Sequence, residues 1–162
     1  MTKTILATAL VLASFPAFGE VFLDINGTSK HNKSTYQYRG ETHDYNNRNV
    51  GLGLTVGLNK YFDMSGGFYD NSYYRWSVYG GVKLKHDLQY GDFRVTPGIS
   101  VGLVTGYKNT AVHASTLQPT IMANVRFMWR GAGFTLGYMP RSNIGEGIPV
   151  SAITLQANFK IN

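Results

Sequence analysis

A two-residue alternation runs through most of this chain and fixes what it can fold into. In Val50-Gly51-Leu52-Gly53-Leu54-Thr55-Val56-Gly57-Leu58 every even position is aliphatic and every odd one is Gly or Thr. Successive side chains of a strand point to opposite faces, so this segment has one greasy face and one small one. The period recurs. Trp76, Val78, Val82 and Leu84 alternate with Ser77, Tyr79, Lys83 and Lys85, and Phe93, Val95, Ile99, Val101 and Leu103 with Arg94, Thr96, Ser100 and Gly102. Leu117, Ile121, Ala123, Val125 and Phe127 alternate with Gln118, Thr120, Asn124 and Arg126, and Ile153, Leu155, Ala157, Phe159 and Ile161 with Thr154, Gln156, Asn158 and Lys160. Weaker segments at 21–28, 64–69 and 133–139 bring the predicted strands to eight.

A water-soluble sandwich also alternates. A transmembrane barrel is distinguished by strands of about ten residues over the whole chain, ringed by aromatics, whose polar faces line a lumen. The 11 Tyr, 9 Phe and 19 Gly suit such strands and their tight turns. The connections alternate between long or polar (29–49, 70–75, 108–116, 141–149) and short (59–63, 87–92, 130–132), as external loops and periplasmic turns do. After the leader, no apolar stretch is long enough for a helical span. The fold class is therefore all-β, an eight-stranded antiparallel up-and-down transmembrane β-barrel, whose closure removes edges that lipid cannot satisfy. Pro97 and Pro119 cannot donate ladder hydrogen bonds and belong near strand ends or bulges.

Lys3, the apolar run 5–15 and the small-x-small site Ala17-Phe18-Gly19 form a secretory signal-peptide pattern. Residues 1–19 are thus expected as a leader and 20–162 as an outer-membrane barrel, acting as a monomer. With 15 basic and 9 acidic side chains the net charge is +6. In an exported protein this suits phosphate-rich lipid surfaces and not nucleic acid. The absence of Cys excludes disulfides, thiolate metal sites and cysteine nucleophiles. No cofactor or metal motif is present in the sequence, and none is expected to be bound.

Strand direction sorts the inward positions by height. Toward the short turns lie Asp24, Lys83, Lys85, Arg94, Arg126 and Lys160, a charged set able to pair in place. Toward the long loops lie Gly51, Gly53, Gly81, Gly102, Val104, Gly106, Met122, Gly137 and Met139, without a charge. An eight-stranded barrel is only just wide enough for side chains to fill it. Inward glycines either leave an uncharged cavity that could hold an alkyl chain, or ease the curvature while other side chains fill the space.

The first two long loops emerge on one side, so His31 and His43 can meet Asp70, Asn71 and Ser72. A hydroxyl nucleophile needs a base such as His, and an acid or amide to orient the imidazole. Those residue types are the inventory for acyl transfer.

The run Gly67-Phe68-Tyr69-Asp70-Asn71-Ser72-Tyr73-Tyr74-Arg75-Trp76, followed by Val78-Tyr79-Gly80-Gly81, resembles the active-site loop and next strand of the lipid A palmitoyltransferase family. Ser29-Lys30-His31, then Tyr45-Asn46-Asn47-Arg48-Asn49 and the glycine-alternating strand, are similar to its upstream layout. Gly137-Tyr138-Met139-Pro140 is similar to its C-terminal part. The resemblance implies a lumen that takes an acyl chain from a phospholipid donor and passes it to lipid A or a related outer-leaflet acceptor. It places the family's catalytic roles on His31, Asp70 and Ser72, a lateral gate at Pro140, and the acyl pocket along Gly51, Gly53, Gly81, Lys83, Gly102, Val104, Met122 and Met139. Two features depart from it. Asp and Ser are adjacent in the family but flank Asn71 here, and the family's small pocket base corresponds to Lys83, which would raise the floor and favour shorter chains.

Two other readings stand beside this one. His113-Ala114-Ser115 resembles the His-x-Ser motif of lipid A deacylase barrels, but Phe127 occupies the place where their acidic residue should follow. From another class comes a small barrel without chemistry whose external loops bind.

Overall fold

Alternation becomes a closed sheet. The computed structural model describes residues 19–107, 117–141 and 150–161; the leader expected over 1–19, apart from Gly19, and the His113-Ala114-Ser115 motif lie outside them. The strands are β1 (Val21–His31), β2 (Thr35–Tyr38), β3 (Glu41–Asp44), β4 (Arg48–Gly57), β5 (Phe62–Asp70), β6 (Trp76–Lys85), β7 (Leu88–Tyr90), β8 (Phe93–Val104), β9 (Gln118–Trp129), β10 (Ala132–Met139) and β11 (Ala152–Lys160). Eight of them pair antiparallel in the order β6-β5-β4-β1-β11-β10-β9-β8, and a β6–β8 ladder closes the barrel. No helix is found among the described residues.

The outward positions carry the apolar side chains. Val50, Leu52 and Leu54 on β4, Ile99, Val101 and Leu103 on β8, and Leu136 and Leu155 on β10 and β11 are all exposed. Such a continuous greasy girdle is what lipid solvates and water does not. Aromatics ring both edges: Phe62, Tyr90, Phe93, Trp129 and Phe159 at the short-turn end, and Phe68, Trp76 and Tyr138 at the long-loop end.

Three departures from the sequence reading matter. β7 continues β6 beyond a break at His86 and Asp87, where Lys85 opposes Gly98 and Leu88 opposes Val95. Pro97 lies between those two partners, so its missing N–H falls at the gap. Second, the first long connection carries the hairpin β2–β3, turned by Arg39 and Gly40 at φ 53° and 84°. Two successive positive φ values make the tight turn whose twist suits a two-residue hairpin. Third, the ladders of β1 slip between Asn26 and Thr28 against both neighbours. Before the slip Asp24 is buried and Ile25 exposed; after it Ser29 is buried and Lys30 exposed. The bulge at Gly27 therefore reverses which parity faces the lumen.

At the short-turn end the lumen is packed with charge. Lys85 Nζ lies 2.9 Å from Asp63 and 3.2 Å from Asp87, and Arg126 lies 3.6 Å from Asp63. Asp24 accepts from Thr55 Oγ1 at 2.5 Å and Asn158 Nδ2 at 2.7 Å. Glu20 accepts from Lys160 at 2.8 Å and from Arg94. The inward cations follow from alternation. Their acidic partners Glu20, Asp63 and Asp87 come from positions the pattern assigns to flanks and turns.

Candidate functional site

At the opposite end the first two long connections converge on one hydroxyl. Ser72 Oγ lies 2.8 Å from His31 Nε2, and His31 Nδ1 lies 3.3 Å from Asn47 Oδ1. The amide oxygen facing Nδ1 keeps the ring proton there, so Nε2 accepts from the Ser72 hydroxyl. The ring stacks on Tyr45, with centroids 4.6 Å apart at 20°.

Each partner is placed by a separate device. The bulge at Gly27 brings His31, the last residue of β1, to the lumen side opposite buried Ala152. Asn47 is held through its carbonyl, which accepts from Ser29 N at 3.0 Å and Thr28 Oγ1 at 2.6 Å. Ser72 sits in the β5–β6 loop, which Asn71 pins. The Asn71 side chain is fully buried, donates to Ser77 Oγ (2.9 Å) and Gly106 O (3.1 Å), and accepts from the N–H of Tyr73 (2.8 Å) and Arg75 (3.2 Å). The residue that separates Asp70 from Ser72 in the sequence is thus the brace of the loop.

Asp70 is engaged elsewhere. Its Oδ2 accepts from Asn46 Nδ2 at 2.8 Å, while Asn46 N donates to Ser72 O at 2.9 Å and Asn49 Nδ2 to Asp70 O at 2.9 Å. Asn46 and Asn49 so staple the first long connection to the second. The imidazole partner is Asn47, and the carboxylate serves the staple. His43 stays on the hairpin, 3.6 Å from Glu41 and stacked on Tyr36.

Above the apolar band, whose edge on these strands is marked by the outward-facing cations Lys30 and Arg48, His31 is half-buried. Desolvation pushes its pKa below the ordinary 6.5, with the Asn47 hydrogen bond acting the other way. Tyr36, Tyr45, Tyr73, Tyr107 and Val150 pack together as a roof beside it. The Tyr45 and Tyr73 rings meet edge to face at 5.6 Å.

Below the dyad a cavity of about 250 Å³ descends through the lumen, lined at its mouth by His31, Ser72, Tyr45, Tyr73, Val150 and Ala152. Gly81, Gly102, Val104, Met122 and Met139 line its walls, and Lys83, Asp24 and Arg126 its floor. Gly51 and Gly53 are not on that wall. A side chain at Gly51 would collide with the backbone of the neighbouring strand at Phe68 and Tyr69, and one at Gly53 with the Tyr79 hydroxyl, so close strand approach accounts for the first glycine and the Tyr79 ring for the second. The remaining wall is uncharged but polar. Gln156 donates to Asn26 at 2.9 Å and Asn124 to Ser100 at 2.8 Å, and Thr120 and Thr154 also face inward. The alkyl-lined tunnel expected from glycine alternation is confined to the upper wall around Val104, Met122, Met139 and Ala152.

Among the described residues one ladder stops short of the long-loop end. The β9–β10 ladder ends at Ala123 opposite Tyr138, whereas β9 continues to Gln118 along β8. Among the described residues, positions 118–122 of β9 pair on the β8 side alone. Pro119 lies in that stretch and Pro140 directly follows the end of β10.

Asn46, Asn47 and Asn71 carry functional geometry that the sequence reading did not assign. Their one signal was the clustering of Asn in two loops predicted to meet. Among the described residues no group of three or more His, Asp or Glu side chains could hold a metal.

No family model and no curated protein matches the chain. Among solved structures it is similar to a de novo designed transmembrane β-barrel, with a TM-score of 0.61 at 13% identity over 88% of this chain and 96% of that one. A second designed barrel, TMB2.3, solved in solution, gives 0.54 at 15% identity over 89% and 97%. The N-terminal barrel domain of Pseudomonas aeruginosa OprF gives 0.47 at 9% identity over 86% and 97%. At these identities the likeness to the two designed barrels is one of fold, and with the closed ladder and the greasy girdle it makes this chain an eight-stranded antiparallel transmembrane β-barrel.

Proposed function

We propose that this barrel resides in a bacterial outer membrane and moves an acyl chain from a phospholipid to lipid A, a related outer-leaflet acceptor, or water. One observation carries the reading: the chain Ser72–His31–Asn47, hydrogen-bonded in nucleophile, base and orienter order, stands at the mouth of a lumen cavity.

The chemistry follows from the geometry. Ser72 Oγ attacks the acyl carbonyl while its proton passes to His31 Nε2, and Asn47 Oδ1 holds the Nδ1–H. The Ser72 N–H takes no acceptor among the described residues and is free to meet the developing oxyanion. Collapse expels the glycerol oxygen, which takes the proton from His31 and leaves as the lysophospholipid. His31 then deprotonates the acceptor hydroxyl or a water, which attacks the acyl-serine and restores Ser72. The acyl chain enters along Val104, Met122 and Met139, and the interval between β9 and β10 at Pro119 and Pro140 is its way in from lipid.

The test is mass spectrometry of lipid A and phospholipids from cells carrying the wild type or Ser72→Ala. An added acyl chain or a new lysophospholipid that depends on Ser72 supports the reading. Unchanged lipids would favour the second reading, a barrel whose loops bind without chemistry; the exposed β2–β3 hairpin standing off the barrel rim favours it. Membrane fractionation of the expressed protein tests the compartment and the leader at residues 1–19.

A further inference from the structure

The slip at Gly27 sorts four consecutive residues by face. Thr28 and Lys30 are exposed, Ser29 is buried, and His31 is turned to the lumen. On the neighbouring strand Arg48 opposes Thr28 and is also exposed. Lys30 and Arg48 are therefore diagonal neighbours on the outer face, about 7–8 Å apart by strand geometry. Their chain neighbours, His31 and Asn47, form the base and its orienter. One residue step carries the backbone from the lipid face to the reacting face at both positions.

These two cations stand immediately above grease. Lys30 lies opposite Ile153, and Val50 follows Arg48 on the same face; both are exposed apolar side chains. Among the described residues neither cation makes an ion pair. Asp44, the carboxylate nearest to them in sequence, is in none of those pairs, and Asp70 is bonded to Asn46. Two like charges at this spacing oppose one another, and an anion between them would relieve the repulsion. At the edge of a lipid-facing girdle the abundant anion is a phosphate at the level where headgroups meet acyl chains.

The geometry points to Lys30 and Arg48 as a binding site for the phosphate of a membrane lipid, which seats that lipid with its ester beside Ser72. This deepens the acyl-transfer reading and rests on it for the role of Ser72, whereas lipid retention can be measured apart from turnover.

The experiment uses full-length protein carrying Ser72→Ala, so that bound lipid survives. The protein is refolded in detergent micelles doped with phosphatidic acid or with diacylglycerol of the same chains. Native mass spectrometry then reads the lipid retained. Phosphatidic acid should be retained over diacylglycerol, and Lys30→Gln with Arg48→Gln should cut that retention about tenfold. Lys60→Gln, at the short-turn end, should leave it unchanged. In protein with Ser72 intact, the Lys30 and Arg48 double variant should raise KM for a phosphate-bearing lipid and spare kcat. Equal retention of phosphatidic acid with and without the two cations would overturn the proposal. Wild-type protein that retains phosphatidic acid through Lys30 and Arg48 but turns over no lipid would leave this site standing and sink the acyl-transfer reading.

Discussion

His31 Nδ1 faces the amide oxygen of Asn47 at 3.3 Å, on the side of the ring away from Ser72. An amide orients the imidazole by hydrogen bonding without adding a negative charge. In the proposed acyl transfer the protonated ring would thus be less stabilised than beside a carboxylate, and the resting ring stays neutral to lower pH. Activity needs neutral His31, so it should rise with pH through a midpoint below 6.5. Asn47→Asp favours the imidazolium and should move that midpoint upward, whereas Asn47→Ala should lower kcat by about 10²-fold or more. pH–rate profiles of the three proteins check both. Asp70→Asn should leave the midpoint in place, because Asp70 contacts Asn46 and not the ring.

Ser72→Ala and His31→Ala should each abolish lipid modification with the barrel still folded, as judged by a heat-modifiable gel shift. Members of one catalytic unit are non-additive, so the double variant should be no worse than either single one. His43→Ala, on the hairpin, should retain activity. Loss on His43→Ala with survival on His31→Ala would reassign the base.

Asn71→Ala should uncouple loop from barrel. Removing a buried amide leaves the Tyr73 and Arg75 N–H groups and Gly106 O without their partner, a local cost of about 1–3 kcal/mol per stranded group. Turnover should fall steeply, while the urea midpoint of the barrel, set by ladders below the loop, shifts little. A midpoint that falls in step with activity would show that the loop is part of the folding unit.

Lys83 is 5% exposed on the cavity floor, and its ammonium has no hydrogen-bond partner among the described residues. Lys83→Met keeps the stem and removes the charge, so it should raise the unfolding midpoint in guanidinium by relieving the desolvation of a buried ammonium crowded by Arg126 and Lys85. Lys83→Gly should instead deepen the cavity and lengthen the preferred acyl chain by about one to a few methylenes. Donors of graded length offered to wild type and variant give the answer; identical profiles would remove Lys83 from the acyl path.

The strands were legible because alternation was strong wherever one face meets lipid. Val50 to Leu58 states its own inside and outside. Legibility failed where the pattern lost contrast. Asn26, Gly27 and Thr28 give no apolar marker, so nothing in the chain carries parity across the bulge, and His31 reads as a loop residue. Asn46, Asn47 and Asn49 differ in partner and not in chemistry, which only the fold can sort. Likewise Gly51 and Gly53 read as vacancies, since what closes on them, the β5 backbone at Phe68 and Tyr69 and the Tyr79 ring of β6, comes from other strands.

The extra residue at Gly27 makes the site's sidedness a matter of counting. Shortening the segment between Ile25 and Lys30 by one residue would keep every barrel strand and the same two loops, yet would turn the imidazole to the outer face and tuck a lysine beneath the tyrosine roof. Nearly identical compositions would then give a lipid-modifying surface or an inert wall. In libraries of such barrels, insertions and deletions in β1 should consequently behave as on–off switches, while substitutions at the same positions grade the activity.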